Sequence, residues 1–342
     1  MDFRCPPAIL EALQQVTAHG VMGYSFVPDE MKQVFQARLQ ERYGWQTATD
    51  WQVWIPGIVP ALTAISRAVG EDSSTEILAS TPVYRPIIAA PEWLGKKSVR
   101  VPMVEVEGRW TFDFIGLEAA ISPQTKLVML CNPHNPLGTV FTVAELEKLG
   151  ALCEKYDLLI CADEIHCDLI LDDTLQHVPI ASISKSLEQR TFTLMAPSKT
   201  FNIAGLGCSV AIIPNAELRA KFLQAKNGFF SELSPYAIAG GFAVYQSSED
   251  WRLELVAYLK ANHDYFYEQI NQIKGLSMHR LEATYLAWIK FEKPGFIEQL
   301  LANGVRVIDG QVFEGEGYFR LNFGCPRALL EEAVKRIKQT AE

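Results

Sequence analysis

Residues 126–163 read KLVMLCNPHNPLGTVFTVAELEKLGALCEKYDLLICAD, and this stretch decides the fold. The runs LVMLC (127–131) and LLICAD (158–163) are apolar without alternation, which is typical of strands covered on both faces of a sheet. Parallel strands of this kind need a crossover connection, usually a helix, between them. The stretch therefore predicts a strand, a helix and a second strand of a parallel sheet.

The segment between these two strands carries the expected helix signature. Thr142 and Glu145 have the spacing of a capping box, in which each side chain binds the backbone N–H group of the other residue. Apolar side chains then recur at helical spacing, at Val143, Leu146, Leu149 and Leu152. We therefore expect a helix over residues 142–156.

Other segments extend the pattern on both sides. TFTLMA (191–196) predicts a further buried strand, whereas DEMKQVFQARLQERYG (29–44) and PALTAISRAVG (60–70) predict helices that end at glycines. From about Trp251 the chain changes to a long helix, two strands and an amphipathic C-terminal helix. This change predicts a second, smaller α+β domain after the large α/β domain.

Composition and charge narrow the classes of partner. The 342 residues carry a formal net charge of -9, which argues against a surface for nucleic acid or anionic membrane, because either needs a basic patch. No apolar run approaches the roughly 18 residues of a membrane helix. The expected partners are therefore a small-molecule substrate and a second copy of the chain, with no nucleic acid and no membrane.

Cysteine usage bears on the compartment. The seven cysteines are scattered, odd in number and mostly set in apolar runs, and the N-terminal MDFRCPPAIL has no signal-peptide pattern. We therefore predict a cytoplasmic location. Cys161, Asp163, His166 and Cys167 invite a metal interpretation, but their spacing fits no common zinc pattern, so no metal is expected.

Three polar residues follow the ends of predicted strands. These are Asn135, Asp163 and Lys199, and ligands of open α/β sheets bind outside the carboxyl ends of the strands. A lysine amine, a carboxylate and an amide are the groups that hold pyridoxal phosphate through its aldehyde, ring nitrogen and phenolate oxygen. Taken singly, each residue could instead be a solvated lysine, a helix cap or a turn residue.

Six ordered segments make a family resemblance specific over nearly the whole chain. The sequence resembles the fold-type-I, class I/II aminotransferase superfamily of pyridoxal-phosphate enzymes, and in particular its cystathionine β-lyase-like C-S lyases. The segments that carry the resemblance are PGIVPAL, TPVYRPI, CNPHNPLG, ADEIHCDLI, SKTFNIAGL and FRLNFGCPR. The implied fold is a three-layer, mostly parallel sheet flanked by helices, with a small α+β domain built from the chain ends. The implied domains are 13–254 (large) and 1–12 with 255–342 (small).

The resemblance assigns roles around the cofactor ring. Lys199 would form the Schiff base and act as general base, and Asp163 would keep the ring nitrogen protonated. Asn135 would bind the phenolate oxygen, and His166 would also approach it, although His166 could equally be structural. Tyr84 would stack on the ring face opposite the substrate; a plain packed aromatic is the alternative.

The resemblance also assigns the two ends of the site. The amides of Ile58 and Val59, at a helix start, and the hydroxyl of Ser198 would bind the phosphate. Tyr24 would reach that phosphate from the other subunit of a homodimer. Arg320, together with Asn135, would bind the substrate α-carboxylate; otherwise Arg320 is an ordinary exposed arginine on a strand.

One position departs from the superfamily pattern. Many aminotransferases of the superfamily carry a phosphate-binding arginine eight residues after the lysine, where this chain has Gly207. Loss of that arginine resembles the C-S lyase branch. We therefore expect a C-S β-lyase that converts cystathionine or related S-substituted cysteines to a thiol, pyruvate and ammonia. The alternatives are an aminotransferase, a decarboxylase, and a non-catalytic regulatory protein that retains pyridoxal phosphate.

Overall fold

A computed structural model describes residues 1–70 and 72–342. Its strands, in chain order, are β1 (Gln52–Ile55), β2 (Glu76–Thr81), β3 (Lys97–Pro102), β4 (Val104–Val106), β5 (Arg109–Thr111), β6 (Thr125–Cys131), β7 (Leu159–Asp163), β8 (Thr191–Met195), β9 (Ser209–Ile212), β10 (Leu276–Ser277), β11 (Leu286–Phe291), β12 (Ile308–Asp309) and β13 (Tyr318–Asn322). The predicted strands 127–131, 158–163 and 191–196 correspond to β6, β7 and β8.

The helices alternate with these strands in the first two thirds of the chain. They are α1 (Pro7–His19), α2 (Asp29–Tyr43), α3 (Ile58–Ala68), α4 (Arg85–Trp93), α5 (Phe114–Ala120), α6 (Val143–Lys155), α7 (Lys185–Arg190), α8 (Ala216–Lys226), α9 (Pro235–Ser247), α10 (Glu249–Asn271), α11 (Phe296–Ala302) and α12 (Arg327–Ala341). The capping box predicted for α6 is confirmed, because Thr142 and Glu145 bind each other's backbone N–H groups. Gly44 ends α2 in the left-handed conformation, also as predicted.

A seven-stranded sheet forms the centre of the large domain. Its strand order is β1-β9-β8-β7-β6-β2-β3, and β9 alone runs in the direction opposite to the other six strands. Cys131 of β6 pairs with Asp163 of β7, and Asp163 pairs with Leu194 of β8. The carboxyl ends of these three parallel strands therefore lie at one edge of the sheet.

Helices cover both faces of this sheet, which gives the three predicted layers. On one face, apolar residues of α3, α4 and α8 pack against the strands. On the other face, α5, α6 and α7 pack near β6 and β7, while α2 and α9 pack near β9. Each fully buried aliphatic or aromatic side chain in these layers contributes roughly 1.5–3 kcal/mol of transfer free energy. The predicted α/β class and its mostly parallel sheet are confirmed.

The smaller sheet belongs to the C-terminal third of the chain. It is antiparallel throughout, with the order β10-β11-β13-β12, and α10, α11 and α12 bury their apolar faces against it. This is the predicted α+β unit; the residue bounds 13–254, 1–12 and 255–342 stay a prediction. Within the described residues, no helix is both long and apolar enough to span a bilayer.

Candidate active site

A cavity of about 400 Å³ opens at the carboxyl edge of the large sheet, where the small sheet faces it. This volume is within the usual range for small-molecule sites. The residues predicted for the site all line the cavity except Tyr24. They are Ile58, Val59, Tyr84, Asn135, Asp163, His166, Ser198, Lys199 and Arg320.

Asp163 is the last residue of β7 and is buried. Burial raises the pKa of its carboxyl to about 7, although the Ile165 N–H group, which donates to Oδ1 at 3.2 Å, and the charge of Lys199 both act to lower that pKa. A buried carboxylate with so little compensation gains free energy from a cation placed beside it. The position therefore suits a protonated ring nitrogen.

Lys199 lies in the loop that follows β8, on the same sheet edge as Asp163. Burial lowers the pKa of its amine, and the charge of Arg320 lowers it further, whereas Asp163 acts in the opposite direction. A lower pKa increases the fraction of neutral amine, which is the nucleophilic and basic form. The surroundings of Lys199 therefore favour the neutral amine, which is the form that attacks an aldehyde.

His166 is buried three residues after Asp163. Its Nδ1 atom has no hydrogen-bond partner among the described residues. Burial lowers its pKa to about 3, and the charges of Lys199 and Arg320 add to this effect. The imidazole is therefore neutral at physiological pH, and it presents an unsatisfied polar atom at a site where a ligand can pair with it.

Arg320 and Asn135 form a direct link between the two sheets. Arg320 lies on β13, and its Nη1 atom donates to Asn135 Oδ1 at 2.9 Å. The guanidinium carbon lies 4.6 Å from the ring centroid of Phe313, in a cation–π contact. Amide and ring together hold the guanidinium plane in one orientation, which leaves it suited to bidentate contact with a carboxylate.

Tyr84 is the residue that precedes α4 and is half-buried beside these groups. Burial raises the pKa of its phenol, and the charge of Asp163 adds to the rise. The ring also packs against the apolar layer formed by α3, α4 and α8. It therefore forms one wall of the cavity next to Asp163, as a stacking residue must.

The start of helix α3 also lines the cavity. No side chain caps this helix, and Pro60 has no N–H group, so the free amides of the first turn include those of Ile58 and Val59. Unpaired amides and the positive end of the helix dipole favour an anion. Ser198 lines the same cavity.

Gly207 explains structurally why no arginine follows Lys199 at the usual spacing. Its φ is +66°, in the left-handed region, and a Cβ atom there would lie 2.9 Å from the carbonyl oxygen of Pro56. Any side chain at 207 would push on the turn that leads into α3. The phosphate arginine of other superfamily members therefore conflicts with this turn.

Buried polar contacts support the loop that carries Asp163 and His166. Glu164 Oε2 lies 2.9 Å from His177 Nε2, and its Oε1 accepts the Ile180 N–H group at 3.2 Å. Asp168 is bound by Arg38 at 2.9 Å and by Arg42 at 3.1 Å. These contacts fix both ends of the loop, so the side chains facing the cavity are held from behind.

Sequence reasoning missed several residues of the cavity. Tyr285 belongs to a segment recognised only as a strand, and its short motif carries no pattern that assigns a role. The sequence suggests disulfide or metal roles for cysteines, yet two cysteines line the cavity. The additional lining residues include Cys131, Ile165, Cys208, Ser209, Tyr285 and Asn322.

Tyr24 lies outside the cavity of its own chain. It lies in the connection between α1 and α2, which has no regular secondary structure, and is fully exposed. Three neighbouring apolar residues are exposed as well, namely Val21, Met22 and Phe26. The contact of Tyr24 with the phosphate of another subunit stays a prediction.

The fold and this geometry agree with the comparisons to known proteins. The model of the family described as "Aminotransferase class I and II" matches residues 1–337. This chain belongs to the aminotransferase class I and II family. The matched residues include the strands of the large sheet and those of the small sheet, so the match covers both sides of the cavity.

Individual relatives cover almost the entire chain. "Cystathionine beta-lyase PatB" of Bacillus subtilis is 35% identical over 350 residues, which are 99% of this chain and 90% of the relative. The crystal structure of OvoB is 38% identical, with a TM-score of 0.95, over 99% of this chain and 90% of that one. Cystalysin from Treponema denticola, which contains a pyridoxal 5'-phosphate cofactor, is 28% identical with a TM-score of 0.95, over 99% of this chain and 89% of that one.

Proposed function

We propose that this protein is a pyridoxal-phosphate-dependent C-S β-lyase that cleaves cystathionine or a related S-substituted L-cysteine. The observation that carries the proposal is the convergence of Asp163, Lys199 and Arg320 in one cavity. Membership of the family and the similarity to a cystathionine β-lyase and to cystalysin support the cofactor and the reaction class. The products are a thiol, pyruvate and ammonia, with one water consumed.

The donor set fits the cofactor at each of its polar groups. Lys199 provides an amine for the aldehyde, Asp163 a buried carboxylate for the ring nitrogen, and Asn135 with His166 provides polar atoms for the phenolate oxygen. The amides of Ile58 and Val59, with Ser198, would bind the phosphate. Bound pyridoxal phosphate supplies an electron sink for the electron pair left on the substrate Cα atom.

The protein's own residues account for the remaining chemistry. Arg320 binds the α-carboxylate and so orients the substrate. Lys199, in its neutral form, takes the proton from Cα and is the general base. The carboxylate of Asp163 would keep the ring nitrogen of the cofactor protonated, and this positive charge draws electrons away from Cα. The electron pair from Cα then forms a double bond to Cβ while the C–S bond breaks with its electron pair on sulfur, and the released thiolate takes a proton from water to give the thiol.

The oligomeric state and the location are part of the same proposal. Two chains would associate so that each contributes Tyr24 to the phosphate end of its partner's cavity, which is supported by the exposed apolar residues around Tyr24. A cytoplasmic location is supported by the cysteines, none of which forms a disulfide within the described residues.

The deciding assay supplies purified holoenzyme with cystathionine and no keto acid. The lyase predicts sustained release of homocysteine, pyruvate and ammonia in equal amounts. A single turnover that leaves the amine on the cofactor would identify an aminotransferase, and bound cofactor without any turnover would identify a non-catalytic binding protein.

Lys199→Ala provides the matched control and the first prediction. It should lower turnover by about 10⁴-fold, because both the covalent attachment and the general base are lost. Borohydride treatment followed by mass spectrometry should place the reduced cofactor on Lys199 in the wild type and on no other lysine. Labelling of a different lysine would contradict the assignment.

A further inference from the structure

Tyr285 is the residue of the cavity with the clearest unassigned chemistry. It immediately precedes β11 of the small sheet, is 6% exposed and lines the cavity together with Arg320. Its ring packs edge-to-face on His166, with 6.2 Å between ring centroids. The phenol thus lies on the substrate side of the site, beside both the carboxylate-binding guanidinium and the neutral imidazole.

The preceding residue holds its backbone in a strained conformation. Thr284 has a φ of +73° and is completely buried, although left-handed backbone is a genuine outlier for a β-branched residue. Such a conformation costs about 1–3 kcal/mol and persists only where the surroundings over-determine it. Strained backbone of this kind is concentrated at functional sites, and here it orients the neighbouring side chain of Tyr285.

Two loops of the large domain impose this conformation. The Thr284 N–H group donates to the Leu169 carbonyl at 2.9 Å, and the Ala283 N–H group donates to the Gly138 carbonyl at 2.9 Å. The Leu169 loop follows Asp163, and the Gly138 loop follows Asn135. Tyr285 is therefore positioned from the same two loops that position the predicted cofactor ligands.

We propose that Tyr285 contacts the departing sulfur and donates its O–H hydrogen bond to the thiolate as the C–S bond breaks. This proposal rests on the C-S lyase function proposed above and adds a residue that acts at the leaving group. The bonding electron pair leaves with sulfur, Tyr285 keeps its proton, and the thiolate takes a proton from water after release.

The electrostatics of the phenol suit this role. Burial raises the pKa of Tyr285 to about 12, while the charge of Arg320 acts in the opposite direction, so the phenol stays protonated and remains a donor. A hydrogen bond to a developing anion is stronger than one to a neutral atom. With the α-carboxylate on Arg320, the sulfur of a cysteine conjugate is only three bonds from the carboxylate carbon, on the side that Tyr285 lines.

The test compares Tyr285→Phe with the wild type on two conjugates. S-benzyl-L-cysteine releases a basic alkyl thiolate, and S-(4-nitrophenyl)-L-cysteine releases a much less basic aryl thiolate. Thiol release from the benzyl conjugate should fall by about 10²-fold in the variant, as expected when one donor to a developing anion is removed. Release from the nitrophenyl conjugate should change by less than about threefold, because that leaving group needs little stabilisation.

Deuterium exchange at Cα in D₂O separates this proposal from the proposed function. Exchange depends on Lys199 and the cofactor and should be retained in Tyr285→Phe, together with cofactor content and melting temperature. Tyr318→Phe, a ring on neighbouring β13 stacked on Trp288 outside the cavity, is the matched control and should leave both conjugates unaffected.

The remaining outcomes would contradict either the role of Tyr285 or the proposed lyase function. Equal losses for both conjugates, or no loss for either, would show that Tyr285 does not act on the leaving group. Loss of Cα exchange in Tyr285→Phe would place its role before C–S cleavage and would also reject the proposal. Absence of both Cα exchange and thiol release in the wild type would instead reject the proposed lyase function.

Discussion

The two walls of the cavity are built in different ways. On the wall proposed to hold the cofactor, called the cofactor wall, Asp163 ends β7, whereas Asn135 and Lys199 follow the neighbouring strands β6 and β8, so one rigid sheet sets the positions of all three. On the wall proposed to bind the substrate, called the substrate wall, Arg320 lies on β13 of the small antiparallel sheet and Tyr285 immediately precedes β11. Their orientation is set by contacts that cross to the large domain, such as the bond from Arg320 to Asn135.

This difference predicts a separation of effects. Substitutions on the cofactor wall should alter cofactor affinity and the pH dependence of stability, because buried titratable groups lie there. Substitutions on the substrate wall should alter substrate binding and leave cofactor content unchanged. The hydrogen bond from Arg320 to Asn135 joins the two walls directly, so substitution of Arg320 gives a strict test of the separation.

Arg320→Lys is expected to have the largest effect among substitutions on the substrate wall. Lysine cannot reproduce the planar, bidentate contact with a carboxylate or the contact with Phe313. We expect kcat/KM for cystathionine to fall by about 10²-fold, which corresponds to the loss of one charged hydrogen bond, chiefly through KM.

Cofactor content, measured after gel filtration, should equal that of the wild type in this variant. Arg306→Lys, an exposed arginine of the small domain, is the control and should behave like the wild type in both assays. If Arg320→Lys loses the cofactor as readily as it loses substrate affinity, the two walls do not act separately.

Gly207→Ala tests the phosphate end of the cofactor wall. The new Cβ atom would meet the Pro56 carbonyl at 2.9 Å from a left-handed backbone, so we expect the free energy of unfolding to fall by about 1–3 kcal/mol. Cofactor affinity should fall as well, because the displaced turn leads into Ile58 and Val59. Urea unfolding and cofactor titration measure the two effects.

Gly205→Ala is the matched control for that substitution. It is two residues away, its φ is not in the left-handed region, and a Cβ atom there meets nothing within 4 Å. It should therefore leave both measurements close to those of the wild type. Equal effects at 205 and 207 would mean that the close approach to Pro56 is not what excludes side chains.

The cofactor wall could be predicted from the sequence because local patterns determine it. Apolar runs mark β6, β7 and β8, and a polar residue just beyond a parallel strand has its position fixed by the strand. Asp163 was found in this way, at the last residue of β7. No local pattern of this kind records the order of the strands in the sheet, which only the structure shows.

The substrate wall depends on contacts between distant segments, which no local pattern records. The strain at Thr284 comes from carbonyl groups at Gly138 and Leu169, more than 100 residues earlier in the chain. The same holds for Gly207, whose close neighbour Pro56 lies in another part of the sequence. The role of Tyr285 in the site therefore cannot be recognised from the sequence, because it depends on contacts between the two domains.

The smallest effect we predict concerns Asp163 and His166 on the cofactor wall, whose contributions to the free energy of unfolding change with pH in opposite directions. In the cofactor-free protein, burial raises the pKa of Asp163 to about 7, whereas an unfolded aspartate has a pKa of about 3.9. The folded state therefore binds more protons than the unfolded state between these values. The contribution of Asp163 to stability increases as the pH falls from about 7 to about 4.

His166 has the opposite sign in nearly the same range. Burial lowers its pKa to about 3, and an unfolded histidine has a pKa of about 6.5, so the unfolded state binds more protons between these values. Its contribution is complete above about pH 6.5 and is lost as the pH falls. The two contributions oppose each other in the wild type, which should therefore show a shallow pH dependence from these groups.

Single substitutions should separate the two contributions. His166→Asn keeps the aspartate, so its stability to urea should increase as the pH falls from 6.5 to 5. Asp163→Asn keeps the histidine, so its stability should decrease over the same fall in pH. Each slope approaches about 1.4 kcal/mol per pH unit where only one state titrates. Because Lys199, Glu164 and Arg320 are present in both variants, their charges cannot produce a difference of sign. Parallel slopes in the two variants would show that the cofactor wall does not hold a buried acid and a buried neutral base in the cofactor-free protein.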